Sequence, residues 1–259
     1  MASGPQTSGL RQSGLAQRTP PPLADLIDEG PAALFLDFDG TLVEIAPAPD
    51  RIAPRAGLAD ALAALGARLG GRLAVISGRA IDDIESHVGP LGIAAAGSHG
   101  SDIRTASGTA LGEEPAGLPD AIAAALRDFA RREGLSFEEK PHGGALHYRA
   151  APERAGDVQA FARDLARDHG WQVQGGKDVV ELVARGANKG GAVDIFMQEP
   201  PFAGSRPFFI GDDLTDEAGF AACERHGGAG IIVGDRAETA ANYRLAGVSE
   251  VFDWLGLSA

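Results

Sequence analysis

Two aspartates directly after a short apolar run are the side chains best placed for chemistry. Residues 32–36 are all apolar and predict a buried strand, and the segment DFDGTL (37–42) follows it. Asp37 and Asp39 point to the same side of an extended chain, and Gly40 lets the backbone turn sharply. Such a pair can supply a carboxylate nucleophile and a group that transfers protons. A lone Asp-x-Asp pair is most often a turn or a helix cap, so its interpretation depends on what accompanies it.

Three more polar segments follow the pair along the chain. Ser77 and the segment GDDLTDE (211–217) each follow a predicted strand, and Lys189 stands at a predicted helix start. Ligands bind at the strand ends of open α/β sheets, so these segments are expected to meet Asp37 at one edge. Transfer of a phosphoryl group needs a nucleophile, positive charge facing the phosphate oxygens, and a proton for the leaving alkoxide. The four segments contain side chains for each task.

Together the four segments resemble the haloacid dehalogenase (HAD) superfamily of phosphohydrolases, over residues 33–233. The resemblance implies an α/β fold, with a Rossmann-like core around a parallel sheet and an inserted α+β cap of the C2 type. It also implies that Asp37 is the nucleophile, through an aspartyl-phosphate intermediate, and that Asp39 is the general acid/base. Ser77 and Lys189 are then expected to bind phosphate oxygens.

The same resemblance implies a Mg²⁺ ion. Mg²⁺ prefers oxygen ligands and offsets the repulsion between a phosphate and a carboxylate nucleophile. The expected ligands are Asp37, the backbone carbonyl of Asp39, and Asp212. Asp213 and Asp216 are expected to lie behind these ligands and to hold them in place.

The order of predicted elements indicates a core that is interrupted by a second domain. From about residue 104 the pattern changes to helices at 119–133 and 152–169 and to two strand pairs, with turns at 141–144 and 175–176. A cap of this kind selects the leaving group, while the core performs the reaction. We therefore expect a flexible N-terminal tail (1–29), a catalytic core (30–103 and 186–259) and a cap domain (104–185).

Within the superfamily, the sequence resembles the trehalose-6-phosphate phosphatases. The matching segments are DFDGTL (37–42), ISGR (76–79), GSHG (97–100), EEK (138–140), LHYR (146–149) and KDVVE (177–181). The resemblance implies Mg²⁺-dependent hydrolysis of trehalose 6-phosphate to trehalose and phosphate, a step of trehalose biosynthesis. The residues then expected to bind substrate are Thr41, Arg79, His99, Glu138, Lys140, Lys177 and Glu181. The choice of Glu138 over its neighbour Glu139 depends on register alone.

The amino-acid composition limits the classes of binding partner that we expect for the chain. Acidic side chains outnumber basic ones by 36 to 23, for a net charge of −13, and no basic run interrupts them, so nucleic acid is not an expected partner. No apolar stretch approaches the length of a membrane span, and the first residues lack the apolar segment of a secretory signal, so we expect neither feature. The single cysteine, Cys223, fits a reducing compartment and the packing face of a helix. We expect a cytoplasmic monomer with a small-molecule substrate.

Three alternatives to this function stay open. Another capped sugar phosphatase, acting on sucrose phosphate or mannosylglycerate phosphate, would share every core segment. A phosphomutase would use the same aspartate pair but return the phosphate to a sugar. A non-catalytic sugar-phosphate sensor would keep the fold, but sensors usually lose Asp37, Asp39, Lys189 or Asp212, and all four are present.

Overall fold

The chain forms eleven strands and eight α-helices in the part that the computed structural model describes, which is residues 18–46, 51–112, 117–140, 142–176, 178–184 and 188–257. The strands are β1 (Ala32–Leu36), β2 (Leu73–Ile76), β3 (Ala94–Gly97), β4 (Asp102–Arg104), β5 (Ser136–Lys140), β6 (Gly143–His147), β7 (Gln172–Gly176), β8 (Val179–Val183), β9 (Arg206–Gly211), β10 (Ala229–Val233) and β11 (Tyr243–Leu245). The helices are α1 (Leu23–Asp28), α2 (Leu58–Arg68), α3 (Ile81–Val88), α4 (Asp120–Glu133), α5 (Ala155–His169), α6 (Lys189–Phe196), α7 (Glu217–Arg225) and α8 (Val248–Leu255).

The core domain is a seven-stranded sheet between two helical layers. Its strands lie in the order β11-β10-β9-β1-β2-β3-β4, all parallel except β4, which runs antiparallel to β3. Alternate residues of β1 enter opposite cores: Leu34 and Leu36 pack with α2, α3 and α8, whereas Ala33 and Phe35 pack with α6 and α7. Burial of both faces explains why the central strands are continuous apolar runs. The predicted α/β core with a parallel sheet is confirmed.

The inserted domain is a four-stranded antiparallel sheet with helices on one face. Its strand order is β5-β6-β8-β7, and α4 and α5 cover the face that carries Leu146, Val180 and Leu182. The opposite face of this sheet has no helix against it among the described residues and turns toward the core. An antiparallel sheet can leave one face polar in this way. We call this polar face, defined by Glu138, Lys140, His147, Gln174 and Glu181, the cap face.

The predicted tail of residues 1–29 is wrong in its second half. Arg18 bridges Tyr243 of the edge strand β11, and α1 packs Leu23 and Leu26 into the core, each at most 5% exposed. Trp254 also donates from its ring nitrogen to the carbonyl of Pro21 at 2.8 Å. Residues 18–29 are therefore part of the core, because two leucines on one helical turn give it an apolar side to bury. The remainder of the predicted tail, 1–17, lies outside the described residues.

The predicted start of the cap at residue 104 is also wrong. Arg104 pairs with Ala95 as the last residue of β4, and the amide of Leu111 donates to the carbonyl of Ile103 at 2.8 Å. The chain thus turns back against the edge of the core sheet before it leaves. The sequence did not indicate this hairpin, because its two segments, 102–104 and 110–111, are short and partly exposed and contain no apolar run.

Both glycine pairs that were expected to form cap turns lie inside strands instead. Gly143 and Gly144 begin β6, and Gly175 and Gly176 end β7. A Cβ on Gly143 would lie 2.5 Å from the carbonyl oxygen of Leu182, and one on Gly144 would lie 2.9 Å from the ring of Phe137. These two glycines therefore serve close packing within the sheet and against its neighbours.

Two smaller expectations concern membranes and the cysteine. Within the described ranges, none of the helices has the length and apolar character needed to cross a membrane. Cys223 is fully buried in the core layer formed by α6 and α7, which confirms its predicted packing role.

Candidate active site

Adjacent parallel strands bring the predicted catalytic segments together. Asp37 follows β1, Ser77 follows β2 and Asp212 follows β9, and β1 lies between β2 and β9 in the sheet. Carboxyl ends of parallel strands meet at one edge, so the three side chains converge there. They line a cleft of about 730 Å³ that is closed on its far side by the cap face. Lys189, the first residue of α6, lines the same cleft.

Lys189 is a buried cation between two buried carboxylates. Its Nζ donates to Oδ1 of Asp37 at 2.7 Å and to Oδ1 of Asp216 at 2.6 Å, and the lysine side chain is only 4% exposed. Burial acts to lower the pKa of Lys189, but the charges of Asp216 and Asp37 outweigh it and raise that pKa. Asn188 fixes the helix start, since its side chain accepts from the amide of Gly191 at 2.9 Å. Lys189 therefore stays charged and locks the orientation of the Asp37 carboxylate.

Three carboxylates lie close enough together to hold a metal ion. One oxygen from each of Asp37, Asp212 and Asp216 lies within 4.8 Å of the other two. Burial, followed by the charges of Asp216 and Asp213, raises the pKa of Asp212 to about 7. Gly40 makes the approach possible, because a Cβ there would lie 2.2 Å from Oδ2 of Asp212. A dense, partly buried set of carboxylate oxygens fits a hard divalent cation, which would relieve this mutual repulsion.

A capped turn holds the acidic segment 211–217 in shape. Asp213 accepts from the amide of Thr215, and Oδ2 of Asp216 accepts from the amide of Asp213 at 2.9 Å. Arg236, which sequence reasoning missed, donates to the carbonyl of Asp213 at 2.8 Å and to Glu217 at 2.7 Å. Asp213 lines the cleft together with Asp212, whereas the fully buried Asp216 joins the carboxylate cluster.

Arg79 binds Asp39 and does so through two parallel hydrogen bonds. Nε donates to Oδ2 of Asp39 at 2.7 Å, and Nη2 donates to Oδ1 at 2.9 Å. The third nitrogen, Nη1, donates to Oδ2 of Asp83 at 2.8 Å. Arg79 lines the cleft as expected, yet its nearest partners are two carboxylates of the protein. Nothing in the sequence indicates this pairing, except that Asp83 stands four residues after Arg79.

His99 links the core to the cap face. Ser98 and His99 both have left-handed backbones, with φ of 49° and 58°, and a Cβ on Gly78 would lie 2.6 Å from the His99 ring. Residues other than glycine rarely adopt a left-handed backbone, and here this backbone turns the His99 ring toward the cap. His99 Nε2 lies 3.0 Å from Oε2 of Glu181, whose Oε1 accepts from Lys140 at 2.8 Å. Core and cap therefore meet at the Glu181 carboxylate, which is 12% exposed and is bound from both sides.

The register of the cap sheet places Glu138 and Glu139 on opposite faces. Glu138 pairs with Ala145, which pairs with Glu181 on its other side, so Glu138 shares the cap face with Glu181. Glu139 points to the other face, where its carboxylate accepts from Arg127 of α4 at 2.6 Å, although it also reaches the rim of the cleft. The choice of Glu138 therefore fits the geometry.

Further cap residues that the sequence did not assign line the cleft, among them His147 and Gln174. His147 Nε2 lies 2.9 Å from Oε2 of Glu138, and this hydrogen bond is the main reason that the pKa of Glu138 is lowered. Gln174 lies beside Glu181 on the cap face. Since strand residues alternate between faces, the pairing of β7 with β8 would have revealed Gln174 had the register been known.

One of the expected substrate residues, Thr41, does not enter the cleft. Thr41 is fully buried, does not line the cleft, and has no hydrogen-bond partner for its Oγ1 among the described residues. The backbone of residues 38–43 folds back on itself, with the amide of Leu42 bonded to the carbonyl of Phe38 at 2.8 Å, which turns Thr41 inward. The expectation for Thr41 is corrected accordingly. Lys177 lies outside the described residues.

Replacement of Glu181 with glutamine is expected to destabilise the protein in a pH-dependent manner. Burial acts to raise the pKa of Glu181, but hydrogen bonds from His99 and Lys140 and their charges outweigh it and bring that pKa to about 2. Because the pKa of Glu181 is lower in the folded than in the unfolded state, its ionised form stabilises the fold at pH values above the unfolded-state pKa. This stabilisation is fully present above about pH 4.5 and is lost as the pH falls toward 2. Its size is about 3 kcal/mol at neutral pH.

Urea denaturation of the wild type and Glu181→Gln from pH 7 down to pH 3 measures this effect. The difference in unfolding free energy should shrink as the pH falls. Glu139→Gln is the matched control, because that carboxylate is 55% exposed and pairs only with Arg127 in the described structure. A Glu181→Gln difference that stays constant over this range would contradict the ionic pairing of Glu181.

The fold and the site define a class before any relative is considered. A parallel α/β core that carries Asp37, Ser77 and Asp212 at its strand ends and Lys189 at a helix start, with an inserted cap, is the arrangement of a HAD-type phosphatase. A solved structure of a phosphatase of the haloalkanoate (HAD) enzyme superfamily from Bacteroides thetaiotaomicron superposes with a TM-score of 0.58 at 13% identity, covering 97% of this chain and 100% of the other. At that identity the likeness shows the fold.

Sequence comparison identifies the family. The family model described as trehalose-phosphatase matches residues 35–249. The trehalose-6-phosphate phosphatase of Escherichia coli K12 is 40% identical over 234 residues, which cover 86% of this chain and 85% of the relative. A solved trehalose-6-phosphate phosphatase related protein is 26% identical with a TM-score of 0.67, covering 86% of this chain and 95% of the other. The chain belongs to the trehalose-phosphatase family, as the sequence motifs predicted.

Proposed function

We propose that this enzyme hydrolyses trehalose 6-phosphate to trehalose and phosphate, with Mg²⁺ as its cofactor. The observation that carries the proposal is the cleft itself, in which a carboxylate cluster at the strand ends faces a charged cap face. Family membership supports the substrate, since the 40% identical relative is a trehalose-6-phosphate phosphatase. The sugar would lie against the cap face and the phosphate against the strand ends.

Asp37 is the nucleophile in this proposal. One of its carboxylate oxygens attacks phosphorus, and the bond between phosphorus and the sugar O6 breaks, which leaves an aspartyl phosphate. Lys189 holds Oδ1 of Asp37 at 2.7 Å and favours its anionic form, although burial raises the pKa of Asp37. The hydroxyl of Ser77 accepts from the amide of Arg79 at 3.1 Å, and its own hydrogen can point to a phosphate oxygen.

Asp39 transfers the protons. It stands two residues from the nucleophile at the same strand end, and its side chain is 37% exposed toward the cleft. In the first step it gives a proton to O6 of the departing sugar. In the second step it takes a proton from a water molecule, whose oxygen attacks phosphorus and frees Asp37. A general acid/base of this kind contributes about 10²- to 10⁴-fold in rate.

The carboxylate cluster supplies the place for the cation. Asp37, Asp212 and the backbone carbonyl of Asp39 are the proposed ligands, and Asp216 and Asp213 hold Asp212 in position. When bound, Mg²⁺ neutralises charge on the phosphate and the carboxylates, which lets the two anions approach. The raised pKa of Asp212 supports this assignment, because burial and then the charges of Asp216 and Asp213 disfavour its anionic form, which a bound cation would favour.

The cap face selects the sugar. Glu138, Lys140 and Glu181 present charged groups that can bind hydroxyls, and His99 reaches the same place from the core. A charged group that is buried without its hydroxyl partner is costly, so a substrate that lacks that hydroxyl is rejected. Arg79 lies at the junction between this region and Asp39.

Glu138→Gln is expected to impair use of the disaccharide phosphate selectively. Loss of one charged hydrogen bond to a hydroxyl should lower kcat/KM for trehalose 6-phosphate by about 10- to 100-fold, with little change for 4-nitrophenyl phosphate, which has no sugar. Glu139→Gln is the matched control, since Glu139 is adjacent in sequence but pairs with Arg127. Equal losses on both substrates, or equal losses in both variants, would contradict a specificity role for Glu138.

Phosphate release from a panel of sugar phosphates tests the proposed function. The panel contains trehalose 6-phosphate, sucrose 6-phosphate, mannosylglycerate phosphate and glucose 6-phosphate, each assayed with Mg²⁺ and with a chelator. A strong, Mg²⁺-dependent preference for trehalose 6-phosphate supports the proposal. Preference for another sugar phosphate would overturn the substrate, and activity in chelator would overturn the cation.

A further inference from the structure

The guanidinium of Arg79 is held from two sides by carboxylates. Asp39 accepts hydrogen bonds from Nε and Nη2, and Asp83 accepts one from Nη1 at 2.8 Å. The Arg79 side chain is 11% exposed, while Asp83 is 44% exposed and stands on the first turn of α3 at the wall of the cleft. Asp83 has no part in the proposed chemistry so far, yet it binds the group that binds the acid/base.

The backbone of Arg79 is fixed, whereas its long side chain needs its own anchors. Its amide donates to Oγ of Ser77 at 3.1 Å, and its carbonyl accepts from the amide of Ser98 at 2.7 Å. Such bonds place the Cα but leave several rotatable bonds between it and the guanidinium. In the described structure only Asp39 and Asp83 bind the guanidinium, and Asp39 must also meet the substrate. Asp83 is therefore the partner that can hold Arg79 throughout the reaction.

We propose that Asp83 is a positioning residue for proton transfer. By holding Nη1 it directs the Nε and Nη2 edge of Arg79 at Asp39 and so fixes the plane of the Asp39 carboxyl group. The paired geometry of an arginine and a carboxylate makes this orientation sharp, because two parallel hydrogen bonds allow little rotation. The inference rests on the proposed role of Asp39 in protonating the leaving sugar oxygen.

A competing explanation is that Asp83 only stabilises α3. An acidic residue on the first turn of a helix interacts favourably with the helix dipole, and Asp82 and Asp83 both occupy that turn. Asp82 supplies the control, since it is 80% exposed, pairs with Arg104 at 3.1 Å and does not line the cleft. Asp82→Asn removes the same charge from the same turn without touching Arg79.

Single-turnover kinetics with enzyme in excess test the proposal. The alcohol released from trehalose 6-phosphate and from 4-nitrophenyl phosphate is measured with Mg²⁺, which reports the first step alone. Nitrophenolate leaves without a proton, whereas the sugar alkoxide needs one. Asp83→Asn is expected to slow release of trehalose about 10- to 100-fold and release of nitrophenolate less than about threefold. Asp83→Glu should recover most of the loss, and Asp82→Asn should match the wild type on both substrates.

Three results would overturn the proposal. These are no loss in Asp83→Asn, equal loss on the two substrates, and the same loss in Asp82→Asn. Arg79→Lys provides a second test that leaves α3 intact, because lysine keeps the charge but lacks the paired donors, and it should show the same selective loss. A wild type that releases nitrophenolate but no trehalose would instead refute the proposed function, so the two failures are distinguishable.

Discussion

Replacement of Asp37 with asparagine is expected to lower kcat by about 10⁴-fold or more while the fold stays intact. An amide is not a nucleophile toward phosphorus, so no aspartyl phosphate can form. The fold should tolerate the change because Lys189 keeps Asp216 as a buried partner at 2.6 Å. Steady-state phosphate release measures the activity, and thermal melting checks the fold.

Binding of substrate provides the control for this variant. Asp37→Asn should still bind trehalose 6-phosphate in calorimetry, because the cap face and Lys189 are unchanged. Phosphate release close to that of the wild type would show that another group attacks phosphorus and would remove the central assignment.

Lys189→Met is expected to destabilise the protein by about 3–5 kcal/mol as well as to inactivate it. Lys189 is 4% exposed in its side chain and is shared by Asp37 and Asp216, so its loss leaves two buried carboxylates without a cation. Burial already raises the pKa of Asp216, and the unpaired group would be costly to keep charged. Urea denaturation at pH 8 in the presence of a chelator measures the cost.

A double variant separates this cause from lost packing. Asp216→Asn introduced into Lys189→Met removes one of the orphaned charges and should recover part of the lost stability, which a double-mutant cycle quantifies. A cost below about 1 kcal/mol for Lys189→Met, or no recovery in the double variant, would contradict an electrostatic role for the buried lysine.

The core of the site was predictable because strand ends fix where side chains meet. Apolar runs buried on both faces identify β1, β2 and β9 directly, and Asp37, Ser77 and Asp212 each follow one of them. Parallel pairing then places the three together without further information. Lys189 needed the family resemblance, since a lysine at a helix start has no distinctive pattern.

The cap and the edges of the core were harder to predict for physical reasons. Glycine pairs normally indicate turns, but Gly143 and Gly144 lie in a strand, at positions where their neighbours leave no room for a Cβ. Edge elements such as β4 and α1 are too short to give a clear periodicity. Thr41 was misassigned because a motif shows which residues are present, whereas a tight turn decides where each side chain points.

The contacts between side chains were the least predictable part of the site. That Arg79 binds both Asp39 and Asp83 depends on the conformation of a long side chain and on the angle at which α3 leaves the sheet. The contact of His99 with Glu181 depends on an unusual left-handed backbone and on how the cap sits over the core. Neither kind of information is local in sequence.

The central claim is that Asp37 accepts the phosphoryl group of trehalose 6-phosphate. Its most direct test is to quench the reaction of the ³²P-labelled sugar phosphate with acid. With Mg²⁺ present, we expect a labelled acyl phosphate that hydroxylamine discharges and that maps to the peptide containing Asp37. The label should be absent from Asp37→Asn and from reactions run in chelator. Release of labelled phosphate with no labelled protein at any time, or a label on a different residue, would contradict the role of Asp37 as the nucleophile.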